Sequence, residues 1–137
     1  MKNKKGFTLL ELLVVIGIIA ILVSLATVAY TSAQKKSRDS RRQADLKAVQ
    51  SALEVYYSEH SYVYPTTCSS AGAYLKSAWP VDPVGVAPYI YSDAAGKCLV
   101  ASYCICAKLE VAGKGNASNT TCSWGGDKTY YCVGNLQ

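Results

Sequence analysis

The chain begins with a long apolar stretch whose hydrophobic residues leave no polar face. Twelve Leu, Ile or Val residues lie between Leu12 and Tyr30, and residues 12–34, 23 in all, carry no charge. As a helix, such a stretch is long enough to cross a hydrocarbon core of about 30 Å. The pattern therefore predicts a transmembrane helix over residues 7–30.

A different helical pattern follows, in which the apolar residues keep to one side. Leu46, Val49, Leu53, Tyr56 and Tyr57 recur at helical spacing and form a single stripe. No proline occurs before residue 65. We therefore expect the helix to run from residue 7 to about residue 58, with an amphipathic continuation over residues 31–58 on which a small domain packs.

The remaining residues, 59–137, have the composition of a small sheet with irregular connections. Residues 89–92, 99–109 and 129–133 are rich in Tyr, Val, Ile and Cys and predict strands, the last two paired. Residues 93–97 suit a hairpin turn. The predicted fold class is α+β: a long N-terminal helix packed on a small antiparallel sheet that forms a globular head.

All the cysteines lie in this head, at positions 68, 98, 104, 106, 122 and 132. An even number in a small domain behind an apolar segment indicates disulfides and an oxidising compartment, which places the head outside the cytoplasm. A metal site is the alternative, but C-x-x-C spacing is absent and His60 is the only histidine. Cys104 and Cys106 share one face of a strand and are poor partners for each other.

The disulfide candidates are Cys68, Cys98, Cys104, Cys106, Cys122 and Cys132. Six cysteines allow 15 connectivities. We favour a bond between Cys106 and Cys132 across adjacent strands.

Charge is unevenly divided along the chain. The formal net charge is +5, but residues 59–137 carry five charges of each sign. Residues 35–42 could bind lipid phosphates or DNA, although solvated charge is the more common outcome for such a run. The neutral head does not support DNA as a partner. It also lacks a nucleophile–base constellation, a phosphate loop and clustered carboxylates, so we predict no enzyme, cofactor or metal.

The segment before the apolar stretch contains a basic start and one intramembrane acid. Three lysines precede Gly6, and Glu11 lies inside the apolar run. A secretory signal peptide is the alternative, but it has no acid at that place. A carboxylate there needs a partner. A cut after Gly6 would create an α-amino group on Phe7, one helical turn from Glu11 and available to a neighbouring chain as well.

The residues from Gly6 to Glu11, GFTLLE, followed by LLVVIGIIAIL, resemble the leader and first helix of type IV pilins and type II secretion pseudopilins. The resemblance implies that residues 1–6 are a leader removed by prepilin peptidase and that Phe7 is then N-methylated. It also implies that Glu11 neutralises the N-terminus of an adjacent subunit. Many family members have a proline where this chain has Val28, so melting of the helix in a filament is left open.

The head has a resemblance of its own. Tyr64-Pro65 after the helix and Asp82-Pro83 before a strand are similar to the G-type major pseudopilins. That family often has a calcium site in its C-terminal loops, but no ligand set can be matched here, and Asp93 and Asp127 are isolated acids typical of turns.

Two N-x-S/T triplets begin at Asn116 and Asn119. They could accept glycans, and they indicate an exposed loop.

These features predict a structural subunit of an extracellular helical filament. The expected partners are further copies of the chain, prepilin peptidase, an assembly platform and the cytoplasmic membrane, with the N-terminus in the cytoplasm before assembly. A surface pilus for adhesion, twitching or DNA uptake and a pseudopilus for protein secretion are both open. A membrane-anchored binding domain that never polymerises is the other alternative.

Overall fold

A computed structural model describes residues 6–87, 91 and 98–136. Helix α1 spans Leu9–Glu59 and is followed by a short 3-10 helix, Cys68–Tyr74. Strands β1 (Cys98–Leu99), β2 (Ser102–Lys108) and β3 (Tyr130–Gly134) form an antiparallel sheet in the order β1-β2-β3. The fold class is α+β, as predicted, and the chain divides into two compact units, Met1–Gln34 and Lys35–Gln137.

In the first unit, the apolar side chains of α1 are exposed on every side. The large hydrophobic residues from Leu9 to Tyr30 are each at least 47% exposed. The 18-residue window of highest hydropathy has a mean hydropathy of 3.0, and none of it is buried. Such a surface is compatible with lipid or with neighbouring copies, and not with water.

In the second unit, the core forms where the apolar stripe of α1 meets one face of the sheet. Leu46, Val49 and Leu53 of α1 are buried as predicted, and Tyr56 and Tyr57 pack against the same core. The sheet contributes alternate residues of β2, which follows from the two-residue period of a strand. The buried core residues from the sheet are Cys98, Tyr103, Ile105, Ala107 and Val133.

The opposite face of the sheet is covered by the loop between β2 and β3. Cys106, Ala117 and Cys132 form a second buried cluster there. The backbone of Ala117 pairs with that of Tyr130, so the loop extends the sheet locally. Each face of the three-stranded sheet therefore has its own cover, α1 on one and the loop on the other.

The structure corrects two element boundaries. Residues 99–109 were predicted as one strand, but a turn at Val100 and Ala101 divides them into β1 and β2. The final strand lies one residue later than predicted, and the 3-10 helix was not predicted. The predicted strand at residues 89–92 and the turn at 93–97 lie outside the described residues, apart from Tyr91, which belongs to no strand.

Candidate functional site

The first site is the junction in front of α1. Gly6, Phe7 and Thr8 are exposed and non-helical, and the helix begins at Leu9. The Phe7 side chain is 84% exposed. The Gly6–Phe7 peptide bond is therefore exposed and lies outside the helix.

Thr8 and Glu11 form a capping box at this junction. The Thr8 backbone N–H and hydroxyl donate to Glu11 Oε2 at 2.9 and 2.8 Å, and the Glu11 N–H donates to Thr8 Oγ1 at 3.2 Å. These bonds satisfy backbone donors that the first turn of a helix leaves without partners. The carboxylate also lies at the positive end of the helix dipole.

The capping box gives Glu11 a partner within a single copy of the chain. From the sequence, an amine is the predicted partner of this carboxylate, and Thr8 has no predicted role. The T-x-x-E spacing is itself the signature of a capping box and could have revealed it. The roles of Gly6 and Phe7 in processing and of Glu11 in assembly stay predictions.

The second site is a buried ionic cluster around Arg42. The Arg42 side chain has no exposed surface and donates to Asp82 through Nε at 2.7 Å and Nη2 at 3.0 Å. Its Nη1 donates to Asp39 at 2.7 Å and to Glu110 at 2.9 Å. One guanidinium therefore holds three carboxylates, from α1, from the segment after the 3-10 helix and from the loop just after β2.

The cluster is completed by Arg38 and by backbone groups. Arg38 forms a bidentate pair with Glu110 at 2.7 and 2.6 Å. The Asp39 carboxylate accepts the backbone N–H groups of Glu110 and Val111. The hydrogen bonds from Arg38, against the opposing effect of burial, lower the pKa of Glu110 to about 2.

This geometry corrects the prediction for residues 35–42. Arg42 is fully buried, and Arg38, whose side chain is 31% exposed, is paired with Glu110, so both arginines link α1 to the head. Lys35, Lys36 and Arg41 remain exposed. The i,i+3 spacing of Asp39 and Arg42 was the available signal, but Asp82 and Glu110 lie 40 and 68 residues from Arg42 along the chain.

A third cluster explains why the head is rich in tyrosine. Glu54 of α1 accepts hydrogen bonds from the hydroxyls of Tyr64 and Tyr103 and from the backbone N–H of Leu136. The rings of Tyr64 and Tyr103 meet edge to face at 4.9 Å. Burial and the bond to Glu54 raise the pKa of Tyr103. These groups join the sheet to α1.

All six cysteines are in disulfides: Cys68–Cys98, Cys104–Cys122 and Cys106–Cys132. The last is the pairing proposed from the sequence, and Cys104 and Cys106 each bond elsewhere. The sulfurs of Cys104, Cys106 and Cys122 lie within 4.8 Å of one another. Because a metal ion binds thiolates, this group has no donor to offer in the oxidised protein.

The polar residues of the loop after β2 are of two kinds: some are held by hydrogen bonds to the sheet and others are exposed in turns. Asn116 donates to the Cys132 carbonyl at 2.9 Å and accepts from the Cys132 N–H at 2.7 Å, so both ends of its amide are held by β3. Asn119 is exposed and forms a turn with Thr121. Asp127 accepts from Thr129 and is a turn residue, while Asp93 lies outside the described residues.

Together, the exposed Gly6–Phe7 junction, an apolar helix long enough to cross a membrane and the disulfide-bonded head are the features of a protein of the prepilin type. Comparison with known proteins agrees with this class. Residues 1–27 match the prokaryotic N-terminal methylation motif.

Among curated relatives, the type IV wide pilus major component PilA4 of Thermus thermophilus is 34% identical over 104 residues, which cover 75% of this chain and 76% of the relative. The type II secretion system core protein G of Dickeya chrysanthemi is 36% identical over 75 residues, covering 55% and 48%. That of Klebsiella pneumoniae is 39% identical over 83 residues, covering 61% and 58%.

The chain therefore belongs to the family of type IV pilins and type II secretion pseudopilins. It spans about half the length of the core protein G relatives that it matches. No solved structure matches it significantly.

Proposed function

We propose that the chain is the precursor of a structural subunit of an extracellular helical filament. It is anchored in the cytoplasmic membrane with its N-terminus inside, cleaved after Gly6 by prepilin peptidase and methylated on Phe7. Copies then polymerise through α1 on an assembly platform. The observation that carries this proposal is an exposed Gly6–Phe7 bond placed directly before a helix whose apolar surface is uncovered on all sides.

The energetics of assembly give Glu11 its role. Moving α1 from lipid into a filament core gains little from apolar burial, because lipid is already apolar. An additional attraction must therefore favour the filament. After cleavage, Glu11 of one copy can pair with the methylated amine of another, and this amine brings a full positive charge that the Thr8 N–H and hydroxyl of the capping box do not supply.

The variant Glu11→Gln separates this role from helix capping. Glutamine has the same shape and still accepts from the Thr8 N–H and hydroxyl, so α1 begins at the same place, but the charge is lost. We expect normal membrane insertion and cleavage with few or no filaments. Glu59→Gln, at the other end of α1 and exposed, is the matched control and should leave filament yield unchanged.

The assay combines electron microscopy of sheared cell-surface material with mass analysis of the subunit N-terminus. Filaments built of chains that begin with methylated Phe7 are the expected result. A mature product that still begins at Met1 contradicts the processing step, and an unchanged filament yield in Glu11→Gln contradicts the assembly step. Filaments released by shearing indicate a surface pilus, whereas filaments seen only on overproduction of secretion components indicate a pseudopilus.

A further inference from the structure

A basic groove lies at the start of the second unit. It has a volume of about 510 Å³ and is lined by Lys36, Asp39, Ser40 and Gln43 of α1 and by Val111 and Lys114 of the loop after β2. Pockets that hold small ligands have volumes of about 300–1,000 Å³. The groove is therefore large enough for a small polar group.

The groove presents positive charge and no available acid. Its one carboxylate, Asp39, is buried and already accepts from Arg42 and from two backbone N–H groups. Lys36 and Lys114 are exposed, and within residues 6–87, 91 and 98–136 neither forms an ion pair. Two ammonium groups from distant parts of the sequence thus face one space, which favours an anion.

The contacts of Asp39 explain why Lys36 and Lys114 line the same groove. The N–H groups of Glu110 and Val111 donate to Asp39, and this fixes the start of the loop against α1 only three residues before Lys114. Without these bonds, the loop would be free to carry Lys114 elsewhere. The groove is therefore a consequence of the folded head rather than of the basic run in α1 alone.

The place of Lys36 along the chain indicates which anion is near. The predicted transmembrane segment ends at Tyr30, six residues before Lys36. Six residues of helix rise about 9 Å. With residues 7–30 in the hydrocarbon core, the long side chain of Lys36 is within reach of the phospholipid headgroups, which extend about 5–7 Å beyond that core.

We propose that this groove binds the phosphate of an anionic phospholipid headgroup while the subunit is still in the membrane. Lys36 and Lys114 supply the positive charge, and Ser40 and Gln43 supply neutral hydrogen-bond donors. The inference rests on the membrane anchoring in the proposed function. Inorganic phosphate has the same chemistry, but the lipid phosphate is held at high local concentration beside Lys36 and is the occupant that the chain position favours.

The test is native mass spectrometry of the full-length chain in a neutral detergent. Phosphatidylglycerol or phosphatidylcholine is added, and the fraction of protein that retains one lipid is measured. We expect a preference for phosphatidylglycerol that falls about fivefold in Lys114→Gln, the equivalent of about 1 kcal/mol for one lysine beside an anionic lipid. Lys128→Gln is the matched control, because Lys128 is an exposed lysine of the same loop that does not line the groove.

Three outcomes would overturn the inference. The first is an equal effect of Lys114→Gln and Lys128→Gln. The second is no preference for phosphatidylglycerol in the unmodified chain. The third is displacement of the lipid by millimolar inorganic phosphate, which would identify a free-anion site. Extraction of the unmodified chain from membranes by alkaline carbonate is measured separately, because release there refutes the anchoring itself and not the groove.

Discussion

Replacing Arg42 with methionine tests whether the buried ionic cluster holds the head on α1. Methionine fills much of the space but leaves three carboxylates without their common partner. The losses are unequal, because Glu110 keeps Arg38 and Asp39 keeps two backbone donors. Asp82, whose side chain is 1% exposed, keeps the Val84 N–H at 2.8 Å as its one remaining donor among residues 6–87, 91 and 98–136.

The expected loss of stability in Arg42→Met follows from the donors that each carboxylate keeps. Removing one member of a buried ion pair typically costs about 3–5 kcal/mol. Since two of the three acids keep other donors, we expect the lower end, about 3 kcal/mol, which lowers the Tm of a domain of this size by about 12–24 °C. Adding Asp82→Asn to Arg42→Met should recover part of the loss, because the most isolated charge is then removed.

The assay is thermal and urea unfolding of the full-length chain in detergent, followed by tryptophan fluorescence. Both tryptophans, Trp79 and Trp124, lie in the second unit, so the signal reports on the head. Arg41→Met is the control, because the Arg41 side chain is 65% exposed and its nearest acid is 3.8 Å away. Its effect should stay within about 0.5 kcal/mol. A loss in Arg42→Met no larger than in Arg41→Met would refute the reasoning.

Three further predictions concern the stability of the head. Because folding lowers the pKa of Glu110 from 4.5 to about 2, the stabilisation that this carboxylate gives the head is fully present above pH 4.5 and is lost as the pH falls towards 2. Urea unfolding at several pH values should show this decline in stability, and the decline should be smaller in Glu110→Gln. An equal decline in that variant would contradict the assignment. Replacing both Cys106 and Cys132 with alanine should lower the free energy of unfolding by about 3 kcal/mol, because the disulfide between them is lost. A shift in the urea midpoint worth less than about 1 kcal/mol would contradict this stabilising role of the disulfide. Gly115→Ala should cost about 1–3 kcal/mol of stability, because the added Cβ would clash with the backbone carbonyl of the first residue of β3. The control is Gly72→Ala, where the nearest side-chain atom is 3.9 Å from the added Cβ, and this variant should unfold at nearly the unmodified temperature. Similar melting curves for the two variants would disprove the clash.

The interpretation of α1 from sequence succeeded because its signals are local. The apolar run, the stripe through Leu46, Val49 and Leu53, and the absence of proline each act over one or two turns of helix. Their physical causes, burial and backbone hydrogen bonding, depend on neighbours along the same segment. The helix was expected over residues 7–58 and spans Leu9–Glu59, and the two-residue delay at its start reflects capping by Thr8.

The fold class of the head could be predicted from the sequence, but the exact bounds of its elements could not. Enrichment in Tyr, Val, Ile and Cys indicated β2 and β3, but the turn at Val100 and Ala101 contains no Gly or Pro from which it could be predicted. The 3-10 helix at Cys68–Tyr74 is likewise held by tertiary contacts, since Cys68 is bonded to Cys98 and Ala71 is fully buried. Local propensity is too weak to fix such elements when packing decides among alternatives.

The sequence by itself determined the long apolar helix, the N-terminal methylation motif and the disulfide-bonded class of the head. Each of these follows from consecutive residues or from composition. Only the tertiary structure decided which charges are buried. Arg41 and Arg42 are adjacent and chemically identical, yet one is solvated and the other is enclosed by Asp39, Asp82 and Glu110. The difference arises because burial of a charge depends on partners brought from distant segments, and their positions exist only once the chain has folded.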